Sequence, residues 1–189
     1  MQISYLATTE QMLNYLTGQG METQDPNFVK NAVLYRLSAY KKICNYVGYD
    51  IISSDYVDEY HDGNGTRKMY LDNRPVTELS SVFVDDIDFT EYFKLIKDFI
   101  FCEDMYIYQG EMNVKVSYSA GYNQASMPGD MRHSALQLIA LYAGQNGGAG
   151  TTIGKSSIST GSGGSESIDT EAETRILDSL SGYRRNDKL

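Results

Sequence analysis

Tryptophan is absent, histidine and cysteine occur twice each, and no run of apolar residues approaches the length needed to cross a membrane. Cys44 and Cys102 are too few for a disulfide framework and too far apart for a zinc knuckle. They suit a reducing compartment in which both thiols stay free in the core. The opening run MQISYLATTEQML has neither the basic flank nor the apolar stretch of a secretory signal, so a soluble protein without a membrane role is expected. Positive charge is scarce in the middle of the chain. From Asp55 to Asp130 there are 6 Lys and Arg against 15 Asp and Glu, a net of −9 that equals the charge of the whole chain. Tight binding of DNA phosphates needs clustered Lys and Arg to release counterions, so that class of function is excluded. Surrounding DNA without gripping it is not.

What is present is enough apolar residue, 41% of 189, to form one compact domain with extensions. Thr8 and Gln11 have the spacing of a capping box, and Met12, Leu13 and Leu16 form a short apolar face before Gly18, which predicts a helix over 8–17. A longer helix is predicted over 26–47. Asp25 is placed to cap it, Pro26 sits in its first turn and Gly48 follows its last periodic residue. The stripe Val29, Val33, Leu37, Tyr40, Cys44 and Val47 is its expected core face. A third helix is predicted over 128–143, with Met131, Ala135, Leu138 and Tyr142 on one face and Gly144 at its end.

Between the second and third helices the period changes. Two strands are read between Tyr56 and Asp72, joined by a tight hairpin at Asn64-Gly65. Further strand-like runs are Ser81 to Val84, Phe99 to Cys102 and Met112 to Tyr118, separated by acidic turns. The expected class is therefore mainly α with an inserted β module (α+β): a helical bundle plus a small antiparallel β element at about 55–120, all within a core of residues 1–143.

Residues 144–168 are dominated by Gly, Ser and Thr, a composition that buries too little surface to offset its conformational entropy, and a flexible arm is expected. Residues 169–189 follow as a terminal helix and tail. Thr170 and Glu173 have capping-box spacing, Ala172, Ile176, Leu180 and Tyr183 share a face, and Arg184-Arg185 lie at the carboxyl end. A helix this short is marginal alone and needs a surface. Either it folds back on its own domain or it binds another subunit; the second is the reading taken.

No catalytic, cofactor-binding or metal residues are assigned. His61, Asp62, Asp58 and Glu59 sit at a turn with no second histidine at ligand spacing. Asp85, Asp86 and Asp88 lack a calcium-loop pattern and read as a solvated turn. His133 reads as structural. The stretch from Gly147 to Ser156 resembles a phosphate loop only superficially, because it lacks the glycine spacing and the preceding strand. The 16 tyrosines suit interfaces, which leaves open a β-rich surface or carbohydrate-binding module of a virion or host cell.

Several runs, in order, resemble the head-tail connector (adaptor or head completion) proteins of tailed bacteriophages. They are Asn14-Tyr15-Leu16, Ala39-Tyr40-Lys41-Lys42-Ile43 through Tyr46-Val47-Gly48, and Tyr70-Leu71-Asp72-Asn73-Arg74-Pro75-Val76 leading to Ser81-Val82-Phe83-Val84. The most specific run is Val114-Lys115-Val116-Ser117-Tyr118-Ser119-Ala120-Gly121-Tyr122, followed by Met127-Pro128-Gly129-Asp130-Met131 and Ala135-Leu136. Leu180-Ser181-Gly182-Tyr183-Arg184-Arg185 is similar to the family's usual ending. The resemblance implies a structural virion protein, not an enzyme, that forms a homo-oligomeric ring, commonly of twelve. Such a ring sits in the virion neck after assembly in the host cytoplasm. It joins the portal protein to the next neck or tail-completion protein and extends the channel for double-stranded DNA, without sequence-specific binding. On this reading Ile176, Leu180, Tyr183, Arg184 and Arg185 meet the portal, and Asp85, Asp86 and Asp88 line the channel, where like charge lets DNA pass without sticking.

Overall fold

The computed structural model describes residues 6–24, 26–146 and 170–185. Most of the Gly/Ser-rich arm, the Asp25 cap and the Gly147–Ser156 window lie outside these residues. The chain forms two compact units, Met1–Gly48 with Met127–Leu189 and Tyr49–Ser126. The class is α+β, with the described α-helices in the first unit and the strands in the second.

In the first unit, α1 (Thr9–Gly18) begins with the expected capping box. Thr8 Oγ1 accepts from the Gln11 N–H at 3.1 Å, and Gln11 Oε1 accepts from the Thr8 N–H at 3.0 Å. Met12 and Leu16 are its buried residues. Gly18 does not stop it: the helix includes Gly18, and Gly20 takes the left-handed conformation at φ +78°. The second helix, α2 (Pro26–Val47), ends as predicted on Gly48, at φ +88° with its N–H donating to the Cys44 carbonyl at 2.8 Å. Its core face shares only Val47 with the predicted stripe. Tyr35, Ala39, Ile43 and Val47 are buried, whereas Val29, Val33 and Leu34 are exposed and Leu37, Tyr40 and Cys44 are half-buried.

The third helix, α3 (Gly129–Asn146), runs through Gly144 instead of ending there. Met131, Ser134, Ala135, Leu138, Ile139 and Ala140 are all buried, so it is enclosed on more than one side and carries little of the amphipathic period of a surface helix. Helices α1 and α2 pack against it, as does α4 (Thr170–Asp178), which a short 3-10 turn at Ser181–Tyr183 follows. Glu173, expected to cap α4 with Thr170, is buried instead.

The second unit has a four-stranded antiparallel sheet in the order β1-β7-β3-β4 and a three-stranded one in the order β2-β6-β5. The strands are β1 (Ser54–Gly63), β2 (Lys68–Tyr70), β3 (Val76–Val84), β4 (Ile87–Asp88), β5 (Phe93–Ile96), β6 (Phe99–Cys102) and β7 (Gly110–Ala120). Residues of both sheets share one core. Val114, Val116, Tyr118 and Ala120 of β7 alternate inward and meet Val82 and Val84 of β3, with Met69, Ile100 and Cys102 from the smaller sheet.

Asn64-Gly65 closes no hairpin. β1 pairs with β7 and β2 with β6, so the chain leaves one sheet at Gly63 and enters the other at Lys68. Only Gly65 of the pair has a positive φ, +70°, while the Asn64 amide donates to the Lys68 carbonyl at 2.8 Å and accepts from the Thr66 N–H at 2.9 Å. A two-residue hairpin lies instead at Asp85-Asp86, whose φ angles of 49° and 62° are the left-handed pair that a type I′ turn requires between Val84 and Ile87. These are the acidic residues read as a solvated turn.

Candidate functional site

The residues assigned to portal contact all fall on α4 and the turn after it, but they face different ways. Leu180 is fully buried in the first unit, and Leu177 one turn earlier is 7% exposed. Ile176, Tyr183 and Arg185 are half-buried and Arg184 is exposed. Polar contacts fix the segment to its own chain. Tyr183 donates its hydroxyl to the Asp130 carboxylate at 2.8 Å, Ser179 and Ser134 share a hydrogen bond at 3.1 Å, and the Arg185 N–H donates to the Val47 carbonyl at 2.8 Å. Arg184 lies over the Tyr46 ring, 5.2 Å from its centroid. Of the two arrangements open to this helix, folding back on its own unit is the one in the structure.

Glu173 is the hub of that docking. Its Oε1 accepts from the Tyr142 hydroxyl at 2.7 Å and lies 3.2 Å from Lys42 Nζ, so one carboxylate ties α4 to α3 and α2. Burial, then the hydrogen bond to Glu173 and its charge, push the Tyr142 hydroxyl far above its ordinary range. Sequence reasoning missed Glu173 and Leu177 as the buried face; the 173, 177, 180 spacing of i, i+4, i+7 carried the signal.

Asp85, Asp86 and Asp88 come together at the β3–β4 turn. Asp85 and Asp86 are exposed, with Lys115 Nζ 3.7 Å from Asp86. Asp88 is turned back on its own chain, accepting from the Thr90 hydroxyl at 2.6 Å and the Thr90 N–H at 2.9 Å. These two bonds hold its carboxyl below the ordinary range.

A second cluster arises from a bulge in β1. Between Tyr56, opposite Tyr118, and Glu59, opposite Val116, the strand carries one extra residue, and Asp58 there has φ 55°. The insertion shifts the alternation by one, so Tyr56, Glu59 and His61 are the half-buried residues and Val57, Asp58 and Tyr60 are exposed. Tyr56 stacks on Tyr118 at 5.1 Å between centroids. Glu59 accepts from the Tyr118 hydroxyl and from His61 Nε2, each at 2.8 Å. Burial raises the Glu59 carboxyl, but His61, Tyr118 and the Asp72 N–H together outweigh it and hold it below its ordinary value. Burial, opposed by the bonds from Asn73 and reinforced by Glu59, pushes Tyr118 far up. Among the described residues, Glu59, His61 and Asp72 are the one group whose donor atoms, within 4.8 Å of one another, have the makings of a metal site. Both Glu59 oxygens already accept hydrogen bonds, the second from Asn73 at 3.5 Å, so the cluster works as a strut between β1, β7 and the segment after β2.

Residues 5–179 match the head completion protein family. The chain belongs to that family. No curated protein sequence matches the chain. In fold it is similar to a chain of the neck of an empty gene transfer agent (GTA) particle computed with C6 symmetry, with a TM-score of 0.59 and 13% identity over 100% of this chain and 98% of that one. It is also similar to chains of the neck of the native GTA particle computed with C12 symmetry (TM-score 0.54, 12% identity) and of the native GTA virion (0.53, 11%), with the same coverage. At such identities the likeness is one of fold.

The Ser119-Ala120-Gly121-Tyr122 run lies inside the matched range and is held by its backbone. Gly121 of this head completion protein has φ +103°, and a Cβ there would lie 2.6 Å from the Ile52 backbone. Its N–H donates to the Pro75 carbonyl at 2.9 Å, and the Tyr122 backbone bonds to Ile51 and Ser53, just ahead of β1. The run therefore ties the chain's way into the β unit to its way out. Of the residues assigned to the portal, only Ile176 lies inside the matched range; the Leu180–Arg185 ending lies just beyond it.

Proposed function

We propose that this head completion protein assembles as a closed ring of twelve copies in the virion neck. The ring sits between the portal and the next neck or tail-completion protein, after synthesis in the host cytoplasm, and continues the channel for double-stranded DNA. The observation that carries this reading is the end-to-end likeness in fold to a chain of neck particles computed with C6 and C12 symmetry. The charge is consistent with it. The β unit, residues 49–126, holds 6 Lys and Arg against 15 Asp and Glu, so a channel face bearing Asp85, Asp86 and Asp88 repels DNA phosphates and lets the duplex slide.

Portal attachment draws on Ile176, Leu180, Tyr183, Arg184 and Arg185. Arg184 is exposed for it, whereas Leu180 contributes only if α4 leaves α3. Many such contacts around a ring add up by avidity, each docked copy raising the effective concentration for its neighbours. Sedimentation of purified chain with assembled portal rings tests the proposal. The full chain should co-sediment, and a chain lacking Thr170–Leu189 should stay behind while losing only the circular dichroism of α4. Co-sedimentation of the truncated chain would take the C-terminal segment out of the contact, and failure of the full chain to bind would remove the proposal.

A further inference from the structure

The first half of α2 carries the largest mismatch between residue type and surroundings in the helical unit. Val29, Val33 and Leu34 are 60%, 47% and 58% exposed. At about 100° per residue they fall with Lys30, Leu37 and Lys41 on one arc of about 140°, opposite the buried Tyr35, Ala39 and Ile43. Lys30 and Lys41 are exposed too, and α2 contains Lys30, Arg36, Lys41 and Lys42 with no Asp or Glu. The stripe is thus aliphatic along Val29, Val33, Leu34 and Leu37, with Lys30 and Lys41 set within the same arc, one toward each end of the helix axis. Of these side chains only Leu37 is half-buried, and the opposite face of the helix supplies the core.

A surface of opposite character lies on the β unit. Tyr106, Tyr108 and Met112 are large and exposed, and exposed Asp104 and Glu111 adjoin them in sequence. Backbone and side-chain bonds hold this patch in place: the Met112 N–H donates to Asp62 Oδ1 at 2.7 Å, the Ile107 N–H to the Thr66 carbonyl at 2.7 Å, and Arg67 lies over the Tyr106 ring at 4.9 Å. One unit therefore presents an aliphatic, basic stripe and the other an aromatic, acidic patch.

We infer that the α2 stripe is the subunit–subunit surface of the ring, covered by the Tyr106–Met112 patch of a second copy. The inference rests on the ring reading above and gives it a residue-level interface. Two different surfaces, each on every copy, make a head-to-tail contact, which closes into a ring when the rotation between copies is right. The aliphatic residues supply burial, and the interspersed lysines set register and exclude like-charged pairings.

The test places a photo-cross-linking benzophenone amino acid at Val33 of the full chain and assembles it into particle necks, beside an unlabelled chain whose ring is read by electron microscopy. Irradiation should give chain–chain products whose cross-linked peptide falls within 103–112. A ring that forms while Val33 cross-links to the portal, to a tail-side protein, to another part of a second copy or to nothing overturns this interface and leaves the ring reading intact. Necks of unlabelled chain without a ring overturn both. Charge reversal gives an independent readout. Lys30→Glu with Lys41→Glu should raise the concentration needed for ring formation at least about tenfold, and adding Asp104→Lys with Glu111→Lys should restore it. Absence of rescue, with each variant folded by circular dichroism, also overturns the pairing.

Discussion

Replacing Leu180 with alanine tests how the C-terminal helix is held. Leu180 is fully buried, and truncating a buried leucine costs about 2–5 kcal/mol through lost transfer energy and the cavity left behind. The cost has a ceiling here. Leu177 is the other buried aliphatic side chain of the segment, and once the loss exceeds the docking energy α4 leaves α3 while the rest of the unit stays folded. The change should therefore appear first as local opening. Hydrogen exchange of residues 170–185 should accelerate by about 30-fold or more for a loss of about 2 kcal/mol, with little change in α1. Arg184→Ala, at an exposed position, should stay within about 0.5 kcal/mol of the parent in urea unfolding. Unchanged exchange in α4 of the Leu180→Ala chain would refute the docking of this helix on its own unit.

Three further outcomes follow from other contacts. Gly121→Ala should destabilise the β unit by more than about 1 kcal/mol, since it combines a left-handed φ with a clash against Ile52, and urea unfolding reads it directly. Tyr142→Phe removes the hydroxyl that serves buried Glu173 and should cost about 1–3 kcal/mol, with faster exchange in α4 as its signature. Glu59 has its carboxyl held below the ordinary value in the folded chain, so its contribution is fully present above the unfolded value and lost as pH falls through the folded one. The stability gap between the parent and Glu59→Gln should be constant above about pH 5 and narrow below about pH 4; a gap independent of pH down to acid unfolding would contradict it.

Local chemistry made part of this fold legible. The Thr8–Gln11 box, Pro26 and Gly48 mark helix ends through groups within a few residues of one another, and α2 begins and ends at the residues they predict. Phe99–Cys102 reads as a strand because bulky residues cluster there. Pairings over long distances were not legible. β1 and β7 lie some fifty residues apart, so nothing near Asn64-Gly65 reveals that its flanking strands enter different sheets. Glu59 was seen only as one of several acids at a turn; the bulge at Asp58 that aims it at Tyr118 has no local signature. The stripe on α2 misled for a different reason. Periodicity reports that an apolar face exists and not what covers it, and among the described residues Val29 and Val33 stay exposed. The C-terminal residues were found by type and spacing, but the direction each faces follows from Glu173 and Leu177.

Electron microscopy of the neck of a particle containing this chain, reconstructed without imposed symmetry, tests the central claim most directly. The account predicts a closed ring of twelve copies beneath the portal, with DNA or an open channel on its axis. A single copy, an open arc or a position away from the portal–tail junction would contradict it.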